Sequence, residues 1–146
     1  MTCTDLSEIL RKHELWLEDK EGGERANLRK KDLQATHMRG AYMQDADMQD
    51  ADMQRANLRG ADMRGADIDY SAWPLWCGSL KAHVDDRIAI QLLYHTLSVV
   101  QHSPYVSEEL KRTLLTEDVV DIANRFHRVD ECGALTVYEG ESHDEQ

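Results

Sequence analysis

The chain is 146 residues long with a formal net charge of −11, enough for one compact unit or two small coupled ones. That charge repels nucleic acid and suits a basic partner instead. No uninterrupted apolar run of about 18 residues occurs, and the N-terminus is acidic rather than signal-like, so nothing in the sequence is expected to span or cross a membrane.

Residues 1–25 read as a capping helix and turn. Asp5-x-x-Glu8 has the spacing of a capping box, and Leu6, Ile9, Leu10, His13, Trp16 and Leu17 fall on one helical face. Gly22-Gly23 then ends the helix.

From Ala26 to about Leu75 the chain repeats every five residues, as in Ala46-Asp47-Met48-Gln49-Asp50 and Ala61-Asp62-Met63-Arg64-Gly65. Position one is small, two is Asp or Asn, three is large and apolar, and four and five are polar. A helix repeats its apolar positions at about 3.6 residues and a strand at about 2, so neither gives this pattern. A short fixed period over many copies signals stacked coils. Ten pentads align, with central residues Leu28, Leu33, Met38, Met43, Met48, Met53, Leu58, Met63, Ile68 and Trp73.

These residues resemble the pentapeptide-repeat family, whose motif is Ala-Asp/Asn-Leu-X-X. The resemblance implies a short right-handed quadrilateral (pentapeptide-repeat) β-helix of about 2.5 coils over residues 26–75, with four pentads to a coil. Residues twenty apart are then expected to stack, Leu28 on Met48 on Ile68 and Leu33 on Met53 on Trp73. The small and the large residue of each pentad both point inward and fill a narrow interior. The Met residues are read as core packing, softer than Leu. Lys31 stands at a small inward position, so the first coil is expected to be irregular there. Open ends of a stack need covers, and Trp16, Trp73 and Trp76 are read as a lid.

Residues 76–146 form the third region, a small C-terminal α-helical bundle with an acidic tail. Asp85 or Asp86 caps an apolar helix that Ser103-Pro104 breaks, Ser107 starts a second and Thr116 a third. A short β-like stretch from Leu135 to Tyr138 precedes the tail. About 50 residues are marginal alone, so this region is expected to pack on the stack's end or on a second copy, giving a homodimer through its helices.

Charge is uneven. Residues 1–25 carry −3, residues 26–73 only −1, and residues 74–146 carry −7. Within the repeats it sorts by face: Asp47, Asp50, Asp67 and Asp69 share one, Asp52 lies on the next, and Arg39 and Arg59 stand on a face without acids. The acidic edge is the expected partner-binding surface, with Glu139, Glu141, Asp144 and Glu145 as further acidic surface.

Members of the family that resemble duplex DNA act on DNA gyrase. The resemblance with the charge therefore implies a non-enzymatic acidic interaction protein, a short DNA mimic that inhibits a DNA-binding complex. Coils about 4.8 Å apart give a rise of about 12 Å, roughly 3–4 base pairs. That length suits the short PAM-reading pocket of a CRISPR effector complex, an anti-CRISPR role, better than the long saddle of DNA gyrase. A plain scaffold module is the other class. No catalytic residue, cofactor or metal is expected: His95, His102 and His127 lack a phosphate loop, nucleophile elbow or ligand motif. Cys77, His83, His127 and Cys132 match no zinc spacing. Cys3, Cys77 and Cys132 read as reduced thiols of a cytoplasmic protein.

Overall fold

A computed structural model describes residues 3–140. They divide into two units, Met1–Ile88 and Ala89–Gln146. The division falls inside a helix.

The first unit opens with α1, Cys3–Leu17. Because α1 begins at Cys3, Asp5 lies inside its first turn rather than at the cap, and Glu8 pairs with Arg11 at 2.8 Å. The helix buries Leu6 and His13, and the chain leaves it through turns containing Asp19 at φ 53° and Gly22 at φ 80°.

The repeat segment is a stack of turns. In each pentad from Leu28 to Ser71 the N–H of the next position one donates to the C=O of position three, as Lys31 does to Leu28 and Ala46 to Met43, both at 3.1 Å. Position five is the third residue of that turn and has positive φ: Lys30, Ala35, Gly40, Asp45, Asp50, Arg55, Gly60, Gly65 and Tyr70, as a type II turn requires. The second-position carboxylate or amide then accepts the N–H two residues on: Asn27 from Arg29, Asp52 from Gln54, Asp67 from Asp69. This local bond is why Asp or Asn stands there.

The expected β-helix is not what forms. Among the described residues there is no strand and no sheet, only single parallel bridges such as Asn27↔Asp47, Asp32↔Asp52 and Asp47↔Asp67, and the regular elements are helices. A turn every five residues leaves one residue per pentad free to bridge, whereas a strand needs consecutive pairings. The twenty-residue register of the bridges does put Leu28, Met48 and Ile68 in one column. Every third-position side chain from Leu28 to Met63 is at most 1% exposed. Lys31 does not disturb the first tier: its side chain is exposed while its C=O accepts the N–H of Asp52 at 3.0 Å.

The tiers run 26–45, 46–65 and 66–85, so the stack extends past residue 75. The third tier carries one extra residue, since Asp62 bridges His83, twenty-one residues on. Leu58 donates to the Gly78 C=O and Met63 to the His83 C=O, both at 2.8 Å. Where the backbone leaves register, side chains take over its bonds. The Trp76 indole N–H donates to the Ala56 C=O at 2.9 Å, and the Asp85 carboxylate accepts the Gly65 N–H. The expected tryptophan lid takes a different form: Trp73 is half-buried and Trp76 is 49% exposed, its ring against buried Gly78. Trp16, 38% exposed, stacks on His13 at 5.4 Å.

α2 spans Asp86–His102, with Asp85 accepting the Ile88 N–H at 3.0 Å as its cap. In the second unit α3 (Glu108–Leu114), α4 (Glu117–Ala123) and α5 (Val129–Cys132) follow. Ser107 caps α3 through the Leu110 N–H, whereas Thr116 precedes α4 without a side-chain bond. Tyr94, Leu97, Val100, Leu115, Val120, Ala123, Phe126 and Leu135 form this unit's core. The stretch after Gly133 forms no strand; Asn124 clamps Leu135, donating to its C=O at 3.0 Å and accepting its N–H at 2.8 Å.

Candidate interaction surface

The acidic residues singled out by sequence fall into two kinds. Asp47, Asp52 and Asp67 occupy second positions, so each carboxylate is half-buried and closes its own turn. The second oxygens of Asp52 and Asp67 are engaged as well. The Gln34 amide donates to Asp52 at 2.7 Å and the Gln49 amide to Asp67, each from a fourth position eighteen residues earlier. Gln44 does the same for Asp62 at 2.9 Å. Asp50 and Asp69 stand in the outward fifth and fourth positions, Asp50 exposed and Asp69 half-buried.

The structure brings Asp47, Asp50, Asp67 and Asp69 onto neighbouring tiers: Asp47 bridges Asp67, and the Asp50 N–H donates to the Asp69 C=O at 2.9 Å. Asp52 sits in the adjacent column, bridged to Asp32 and Ala72. Glu139 is exposed; Glu141, Asp144 and Glu145 lie outside the described residues. A residue that sequence reasoning missed is Arg87, at the start of α2. Its guanidinium reaches within 3.8 Å of Asp67 and donates to the Ala66 C=O at 3.4 Å, occupying the carbonyl that a fourth tier would bond. An arginine inside an apolar helix pattern carried no signal of this role.

The Arg64 guanidinium, 2.6 Å from Asp62, holds that carboxyl below its ordinary range through its hydrogen bond. Exposed cations stand elsewhere: Arg39 and Arg59 two tiers deep in one column, and Arg29, Lys30 and Lys31 in succession on the first tier.

His13 is the other buried polar centre of this unit. Its Nδ1 accepts the Ala26 N–H at 3.0 Å, so the ring proton is on Nε2, which donates to the Gln44 C=O at 2.9 Å. Burial pushes its pKa down, against the pull of the Gln44 carbonyl.

The histidines of the second unit make ring and backbone contacts. His95 and His127 stand edge-on to Phe126 at 5.1 and 4.8 Å, and the His102 Nδ1–H donates to the Ser98 C=O at 2.8 Å. Cys77 and His83 belong to the first unit, His127 and Cys132 to the second. Among the described residues no three His, Cys, Asp or Glu side chains gather as a metal site requires, and no helix is long and apolar enough to cross a membrane.

With this geometry established, the comparison with known families is direct. The family model described as Pentapeptide repeats matches residues 26–65 in eight copies. Residues 26–65 are therefore a pentapeptide-repeat segment, and such repeats suggest a protein–protein interaction module. The ninth pentad, 66–70, keeps the same turn, with Ser71 donating to Ile68 at 3.1 Å. The tenth keeps only the Ala72 bridge. No curated protein and no solved structure matches the chain.

Proposed function

We propose that this chain is a non-enzymatic protein–protein interaction module in which the repeat segment displays outward side chains at fixed spacing. The observation that carries the reading is the double closure of most pentads. Each turn is bonded within itself, and most turns are bonded again to the tier above, as the Lys30 N–H is to the Gln49 C=O at 2.8 Å. Little conformational entropy is left to lose at the fourth and fifth positions when a partner docks, which favours affinity.

The test is affinity capture on the immobilised full chain, with a parallel variant whose outward residues Gln54, Arg55, Arg59 and Arg64 are changed to Ser. A partner held by the parent and released by the variant supports the module. Capture of the same partners by both, or of none, overturns it. A cytoplasmic setting fits the exposed unpaired thiols of Cys77 and Cys132.

A narrower reading makes the partner a basic DNA-handling protein, a CRISPR effector or DNA gyrase, blocked by a short acidic DNA mimic. Exposed Asp50 beside Asp69 and the net charge of −11 favour it. The engagement of Asp47, Asp52 and Asp67 within the stack weighs against it, because those carboxylates are partly spent on their own turns. Its test is competition with duplex DNA for the target complex, lost on neutralising Asp50 and Asp69.

A further inference from the structure

The first tier keeps an edge that no other tier covers. In the second tier the Asp47 N–H donates to the Ala26 C=O, the Asp47 C=O accepts from Leu28, and the Gln49 C=O accepts from Lys30. The equivalent groups one tier down are the N–H of Asn27 and the C=O groups of Asn27 and Arg29. Among the described residues these take no backbone bond, and the pattern recurs at the Asp32 N–H and the Asp32 and Gln34 C=O groups. α1 and His13 engage this end at Ala26 and Gln44. Asn27, Asp32 and the residues between them, apart from Leu28, remain exposed.

Beside this edge lies an open recess of about 480 Å³ lined by Asn27, Arg29, Lys30 and Lys31. Arg29, Lys30 and Lys31 form no ion pair among the described residues. On the same tier the neighbouring acids are occupied: Asp32 accepts the Gln34 N–H at 3.0 Å, and Glu24 pairs with Lys12 at 2.9 Å. Lys31 also breaks the rule of its own position, which elsewhere is small and inward. One tier up the stacked residues are Gln49, Asp50 and Ala51, so the cationic patch is a single tier deep.

We infer that this edge docks a short, extended, acidic peptide segment of a protein partner, a deepening that rests on the interaction-module reading above. On one face the free N–H of Asn27 and the free C=O groups of Asn27 and Arg29 are satisfied by another polypeptide backbone, in the single-bridge pattern by which one tier pairs with the next. The sugar-phosphate backbone of a DNA strand carries acceptors but no N–H donors, so it leaves the free C=O groups unanswered. The three unpaired cations select acidic side chains and bring salt sensitivity.

The probe is a labelled peptide alternating glutamate and threonine, read by fluorescence anisotropy against the full chain. A backbone N-methylated copy and a single-stranded oligonucleotide of equal charge are the controls. The test variant combines Arg29→Gln, Lys30→Asn and Lys31→Ala. Asn tolerates the positive φ of 58° at position 30, and Ala restores the small residue at position 31, so the melting temperature should hold.

The parent should bind the plain peptide, more weakly as salt rises. N-methylation and the triple variant should each weaken binding by at least about tenfold. Three results overturn the assignment: no binding by the parent, equal binding by the triple variant, or equal binding of the N-methylated peptide or the oligonucleotide. If the peptide fails while the capture experiment still yields a partner lost in the outward-residue variant, only this edge is disproved. If both fail, the module reading falls with it.

Discussion

The carboxylate of Asp85 accepts the N–H of Gly65 with one oxygen while its other oxygen caps α2 through Ile88. One side chain thus stands in for the missing backbone of the third tier and also starts the helix that follows. Asp85→Ala should remove both bonds and cost about 2–3 kcal/mol. Asp85→Asn, which keeps an acceptor for one of them, should cost clearly less. Chemical denaturation of the two variants checks the ordering.

His13 makes stability depend on pH in a defined direction. Its ring is neutral in the folded chain, held so by burial, with its pKa below the ordinary 6.5. As pH falls through about 6.5 the unfolded chain takes up the proton first. The stabilisation is therefore complete above that value and is lost progressively below it. His13→Leu should lower stability at neutral pH by about 2–4 kcal/mol, since the Ala26 N–H and Gln44 C=O lose their partner. It should also flatten the decline between neutral pH and about pH 5. Thermal unfolding of both proteins across that range measures the difference in slope.

Two glycines should fail for different reasons. A Cβ at Gly23 would lie 2.5 Å from the Trp16 backbone nitrogen, so Gly23→Ala should cost at least about 2 kcal/mol through a clash that cannot relax. Gly40 has open space around it but φ of 67°. Gly40→Ala should cost about 1 kcal/mol from the left-handed backbone alone. Gly40→Asn should be milder.

Asp47, Asp52 and Asp67 allow charge to be separated from structure. Asn already closes the same turn at positions 27 and 57, so Asp→Asn at Asp47 and Asp52 should leave the melting temperature nearly unchanged, whereas at Asp67 it should also cost the ion pair with Arg87; the three together remove three negative charges. Asp→Ala should cost about 1 kcal/mol per site. If inhibition of a DNA-handling complex survived the Asn set and vanished only on neutralising Asp50 and Asp69, the outward pair would be the contact.

Arg87→Met should expose the end of the stack. The Ala66 C=O and the Asp67 carboxylate both lose a charged donor, and about 1–2 kcal/mol of stability should go with it. Hydrogen exchange at the third tier should rise more than at the second.

The pentad pattern made Leu28 through Ile68 legible because each inward side chain announces itself every five residues. It did not reveal the Asp67–Gln49 or Asp52–Gln34 bonds, which join residues eighteen apart that read in the sequence as side chains facing water. Nor did it reveal that the third tier runs to Asp85. Backbone C=O groups of Gly78 and His83 complete that tier, and a backbone bond leaves no mark on residue type. Trp76 read as an apolar cover, yet its indole N–H replaces a lost backbone donor at Ala56. The strand expectation came from the family's usual description, whereas the density of turns leaves one bridging residue per pentad. For the acidic edge, composition located the charges but not their occupancy, because hydrogen bonding within a turn is invisible to a count of carboxylates.

The twenty-residue register carries a consequence for how this chain can change length. Removing one pentad between Arg39 and Arg59 would rotate everything downstream by one column, placing Arg39 below Arg64 instead of Arg59 and re-pairing every Gln–Asp contact that spans the deletion. Removing four together would shorten the stack by one storey and leave its remaining columns aligned. Length in this segment is therefore quantised in twenties, and the single extra residue before His83 is tolerated only where the ladder is about to stop.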